Sequence, residues 1–222
     1  MQQGKSVNSS TKLSQLILIL SVLLIWFSLI AQFCISIPAS LNQGRSIAGT
    51  LVMILSFFTI QVNLLAGLAM GALLLKPSTL AFFTRGYVIA GIALYITIVC
   101  LVSNTVLLGL VHLTGLALVA DKLMHLINPI LFVAYWLFFI PKEKLKWTQT
   151  LNWLWYPFFY FLYTIIRGTV NHWYPYPFIN ADKLGYSQVI VNSLFILGAF
   201  LILGLLFVAI SRSMTAKSNY SK

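Results

Sequence analysis

Thr59, Gln61 and Asn63 stand in an otherwise apolar run, Phe57-Phe58-Thr59-Ile60-Gln61-Val62-Asn63, and His125 lies four residues after Asp121 and four before Pro129. These side chains could do acyl-transfer chemistry. A threonine hydroxyl accepts an acyl group when a base takes its proton, and imidazole is the side chain matched to that task near neutral pH. Asp121, one helical turn before His125, would share its face and orient the ring; a surface pair of Asp121 with Lys122 accounts for the same residues. Asn63, one turn after Thr59, or Gln61 would then donate to the oxyanion. A blander reading stands beside this one, because membrane-helix threonines commonly bond the carbonyl one turn back and a neutral histidine can simply tie two helices together. There is no G-x-S-x-G elbow, no H-E-x-x-H and no cysteine beside a histidine, and this chemistry calls for no metal or cofactor.

What must position these residues is a set of membrane helices. The 222 residues are 60% hydrophobic and 8% charged, with 14 Lys/Arg and 3 Asp/Glu. So few charges cannot dress a water-exposed fold, and the 14% aromatic content excludes disorder. Six segments carry no charge at all: 13–37, 47–75, 87–111, 123–140, 147–166 and 187–211. Each is long enough to cross the ~30 Å hydrocarbon core as a helix, which predicts an all-α, polytopic six-helix bundle in one domain spanning 1–222. The start of the fourth span decides whether the chemistry is possible. A start near Thr114, giving 114–140, puts His125 ~17 Å deep against ~14 Å for Thr59 counted from Thr50, so the two can meet. A start at Lys122 leaves a vertical gap of roughly 9 Å. Pro129 should kink this span and Pro157 the fifth. Gly67 and Gly71 read as a close helix approach.

Orientation follows from the basic residues. The side of the N-terminus collects Lys5, Lys12, Lys76, Arg85, Lys142, Lys144, Lys146, Arg212, Lys217 and Lys222, and the other side only Arg45, Lys122, Arg167 and Lys183. By the positive-inside rule both termini are cytoplasmic. These residues form no continuous groove with interleaved aromatics, so the partners are membrane lipids rather than nucleic acid. The first span is too long for a cleaved signal peptide and lacks a small-x-small cleavage site. Cys34 and Cys100 read as small packing residues. The outer segment Asn171-His172-Trp173-Tyr174-Pro175-Tyr176-Pro177-Phe178 cannot be helical throughout, since residues before proline are extended. It serves either as an aromatic belt or as a rigid lid.

Phe-Phe-Thr59-x-Gln61-x-Asn63-Leu-Leu, His125-x-x-x-Pro129, and Arg167-Gly168 followed by Tyr174-Pro175-Tyr176-Pro177-Phe178 and Gly185-Tyr186 together resemble the bacterial six-helix membrane family called Pr-six-Pr. That family is distantly similar to the eukaryotic androgen-induced membrane proteins, which hydrolyse fatty acid esters of hydroxy fatty acids with an intramembrane Thr and His. The resemblance implies Thr59 as nucleophile and His125 as base, in a bacterial inner membrane, with a lipid ester as substrate. Arg167 would hold a lipid carboxylate, and Tyr174 and Tyr176 would line the substrate. The sequence departs from the eukaryotic pattern at Gln61, where those proteins have an acidic residue, and in the spacing of the proline after the histidine. The competing reading is a non-catalytic lipid-binding or scaffold protein. A haem site is disfavoured: His112 and His125 would each need a ligand from another helix, and only His172 remains. A transporter is disfavoured by the scarcity of intramembrane charge and the lack of inverted repeats.

Overall fold

A computed structural model of the protein describes residues 3–220, with side chains from 12 to 215. Lys5, Lys217 and Lys222, which enter the charge comparison, therefore lie outside the described side chains. The described residues form helices and no strand: α1 Gln3–Leu41, α2 Ile47–Leu55, α3 Phe58–Leu75, α4 Gly86–Thr105, α5 Gly115–Lys122, α6 Asn128–Phe139, α7 Gln149–Asn171 and α8 Ala181–Tyr220. Short 3-10 turns occupy Ser78–Thr84 and Pro177–Ile179, and a π-turn, Leu123–Ile127, joins α5 to α6. Five helical stretches are long and apolar enough to cross a membrane: Lys12–Leu41, Phe58–Leu75, Gly86–Thr105, Gly115–Phe139 and Ala181–Thr215. These are the properties of a multi-pass membrane protein.

Several span boundaries differ from the charge-free segments, each for a local reason. The first helix continues through Pro38 to Leu41. Segment 47–75 is two helices, because the backbone breaks at Ser56–Phe57. The third helix stops at Thr105 rather than 111, and Gly109 at φ +79 turns the chain that follows. The fourth stretch begins at Gly115, after Thr114, so Asp121, Lys122 and His125 are carried within it. The last helix is interrupted at Gly185 (φ 73).

The chain divides into two compact units, Met1–Ile54 with Thr59–Pro141, and Leu55–Phe58 with Lys142–Lys222. In the first, α1 packs on α5 and α6, and α4 packs on α6. Leu13, Leu16, Leu20, Leu23, Phe27 and Ile30 of α1 face outward, while Leu18, Ser21, Ile25, Ser28 and Leu29 are buried. That three-four spacing gives a helix apolar on both sides, one toward lipid and one toward protein, with its serines turned inward. Ser21 and Ser28 are satisfied by the carbonyls of Ile17 and Ile25. Gly67 fits the close-approach reading, since a Cβ there would lie 3.2 Å from Ile25 Cγ2. Gly71 does not, as a Cβ would meet nothing within 4 Å.

In the second unit, α7 packs on α8. Residues 142–146 are tied to α8 by Ser211, Arg212 and Thr215, which donate to the carbonyls of Glu143, Leu145 and Lys142. The break at Ser56–Phe57 is held by α7: Tyr160 Oη donates to the Ser56 carbonyl (2.9 Å), and Ser56 Oγ pairs with Tyr163 Oη (2.7 Å). After α7 the chain reverses at His172 in the left-handed region (φ 52) and folds the aromatic segment back on the helix end. Tyr174, Ile179, Ala181 and Val189 form its core, with Phe161 and Ile165 of α7 packed against them. The Tyr174 ring occupies the space where Gly168 would carry a Cβ. Gly168→Ala is accordingly expected to lower the melting temperature by roughly 6–10 °C, the effect of overpacking in a protein of this size. Scanning fluorimetry in detergent checks this, and adding Tyr174→Leu should return part of the loss.

Candidate active site

The first unit brings Thr59, His125 and Asp121 together. Thr59 sits in the first turn of α3, beside the Ser56–Phe57 break, and His125 lies inside the π-turn. His125 Nε2 is 3.2 Å from Thr59 Oγ1, and His125 Nδ1 is 2.7 Å from Asp121 Oδ1. An ionised carboxylate only accepts, so Nδ1 carries the ring proton and Nε2 is left as an acceptor for the threonine hydroxyl. Asp121 pairs with His125, and no ion pair to Lys122 occurs among the described residues. Thr59 is 7% exposed, against 21% and 29% for the His125 and Asp121 side chains, so the hydroxyl is nearly enclosed while the ring keeps an open edge.

Pro129 shapes the backbone around this histidine. Within the π-turn the Asn128 N–H reaches back five residues to the Leu123 carbonyl. Pro129 has no N–H, so it cannot donate to the Met124 or the His125 carbonyl, the two acceptors a residue at that place would serve in π or α geometry. An orphaned carbonyl in an apolar interior costs ~1–3 kcal/mol. Both are met by asparagines: Asn63 Nδ2 donates to Met124 O (3.3 Å), and Asn104 Nδ2 donates to His125 O (3.0 Å). Each amide nitrogen also donates to its own helix one turn back, to Thr59 O (2.9 Å) and Cys100 O (2.8 Å). Asn128 Nδ2 then donates to Asn63 Oδ1 (3.0 Å) and Ser28 Oγ (3.0 Å).

This network corrects the expectation for Asn63. Both of its N–H bonds are spent on backbone carbonyls, so it does not serve as an oxyanion donor. Gln61, two residues on, leaves the helix about 200° round from Thr59. The sequence reading missed Ser28 and Asn128. Asn128 carried a signal, being an uncharged polar residue in a charge-free span beside a proline, whereas Ser28 looked like any helix serine.

Arg167, Tyr174 and Tyr176 belong to the second unit. The Arg167 guanidinium lies 4.5 Å from the Trp173 ring centre, and its Nη1 is buried with no acceptor among the described residues. Phe57 meets both Trp173 and Tyr176 edge-on, at 5.7 and 5.8 Å, and Tyr176 stacks on Phe178. His112 is exposed outside the helices, and His172 pairs with Asp182 (3.0 Å).

Comparison with protein-family models, with curated proteins and with solved structures gives no match.

Proposed function

We propose that this protein is an intramembrane threonine-type hydrolase of lipid esters. The observation that carries the reading is the chain of bonds from Thr59 Oγ1 to His125 Nε2 and from His125 Nδ1 to Asp121 Oδ1. Thr59 Oγ attacks the ester carbonyl as its proton passes to Nε2. The imidazolium, stabilised by Asp121, then protonates the leaving alcohol as the carbon–oxygen bond breaks. Water hydrolyses the acyl-threonine by the reverse proton path, with His125 again as base. A fluorophosphonate probe tests the reading. It should label the wild type and leave Thr59→Ala unlabelled, and equal labelling of both would defeat the assignment of Thr59 as nucleophile.

The same proposal takes α7 as a sixth crossing of a bacterial inner membrane, with both termini cytoplasmic. Its 23 residues reach about 35 Å at 1.5 Å each. Leu151, Trp155, Phe158, Phe159, Leu162, Ile166 and Val170 form one exposed apolar face, as a lipid-facing helix requires. Five of its polar side chains, Trp153, Trp155, Tyr156, Tyr160 and Tyr163, are aromatic, and their rings remain apolar. The ten-to-four distribution of basic residues supports the orientation.

Arg167 enters as a binder of oxyanion headgroups, since a half-desolvated guanidinium with an unused N–H gains most from an anionic partner. Palmitate or phosphatidylglycerol is expected to raise the melting temperature by about 5 °C, phosphatidylcholine by nothing comparable, and Arg167→Gln to abolish the rise. An equal rise in the variant would remove Arg167 from this role.

A further inference from the structure

The geometry points to Asn63 and Asn104 as the residues that position His125 against Thr59, by donating to the two π-turn carbonyls, Met124 O and His125 O, either of which the N–H that Pro129 lacks would have served. Each amide nitrogen has two protons and uses both, one on its own helix and one on the π-turn. Both amides are thereby fixed in orientation, and each becomes a two-ended strap. The Asn63 strap runs from the carbonyl of Thr59 itself to that of Met124, the neighbour of His125. One amide nitrogen thus sets the distance between the backbone bearing the hydroxyl and the backbone bearing the ring. The Asn104 strap holds the His125 carbonyl from the α4 side. Asn128 locks the first strap by donating to Asn63 Oδ1. With the π-turn gripped at two successive carbonyls, the ring's freedom reduces to its own side-chain torsions, and Asp121 takes up what remains at Nδ1.

The kinetic part of this inference rests on Thr59 and His125 acting as nucleophile and base. The positional part does not. Asn104 is half-buried, so its replacement leaves a foldable protein even if Asn63→Leu does not fold. Asn104→Leu is expected to lower kcat by about 10–100-fold with KM within about 2-fold, the result of a small displacement of a reacting group. In a Pro129→Ala background, where residue 129 regains an N–H for the His125 carbonyl, the same substitution should cost less than about 3-fold in kcat. A second readout does not depend on turnover. The three histidines can be labelled with nitrogen-15 and His125 assigned through His125→Gln. The wild-type His125 should show the Nδ1–H tautomer, and Asn104→Leu a mixture of tautomers. If the wild type hydrolyses nothing but the tautomer still shifts, the hydrolase reading fails and the positioning role stands. If Asn104→Leu changes the melting temperature alone, leaving tautomer and kcat as in the wild type, the positioning role is wrong.

Discussion

A Thr59→Ala protein is expected to hydrolyse long-chain esters at least about 10⁴-fold more slowly in kcat than the wild type, with its melting temperature within about 2 °C. The first half follows from removing the only hydroxyl that His125 Nε2 reaches in the described structure. The second follows from position, because alanine is the better helix former in the first turn of α3 and the bond lost to His125 runs to a partly open ring. Thr59→Ser keeps the hydroxyl and should stay within about 10-fold of the wild type. Burst kinetics with a chromogenic long-chain ester in detergent measure all three proteins. Wild-type turnover by Thr59→Ala would leave the Thr59–His125 bond as a helix tie and favour the scaffold reading.

Asp121→Asn should cost about 10³–10⁴-fold in kcat without unfolding the protein. The carboxylate fixes the proton on Nδ1. An asparagine can present its N–H₂ to Nδ1 instead, which moves the ring proton to Nε2, the atom that must receive the threonine proton. The ring then donates toward Thr59 and cannot act as base. Asp121→Ala loses the orienting bond without enforcing the wrong tautomer, so it should be less damaging than Asp121→Asn. That order is opposite to what an aspartate serving only as a polar neighbour would give, and comparing kcat for the two variants decides between them.

The apolar elements were legible in the sequence because lipid excludes charge so strongly that most of the seventeen charged residues fall at or between the ends of the apolar stretches, Asp121 and Lys122 within the fourth being exceptions. The meeting of Thr59 and His125 was legible conditionally, through residue counts from Thr50 and Thr114, once the fourth stretch begins at Gly115. What could not be read were the two backbone irregularities next to the reacting groups. The Ser56–Phe57 break is sustained by Tyr160, 104 residues away, and the π-turn by Asn63 and Asn104, 61 and 21 residues from their acceptors. A local pattern carries no trace of such distant partners. The same limit misassigned Asn63: its amide was visible, but the carbonyls consuming it were not.

The π-turn at Leu123–Ile127 spends five residues where an α-turn spends four, so it works as a phase shift in the helix. Asp121 and His125 precede or lie within the shift, while Phe132, Tyr135 and Trp136, buried in the packing of α6, follow it. Shortening this turn by one residue would straighten the helix at the cost of rotating its two halves by about 100° relative to one another. Either the aromatic face of α6 or the acid on α5 would then leave its place. The chemistry and the packing of one continuous helix are thus set to different angular origins, and the length of a single turn reconciles them.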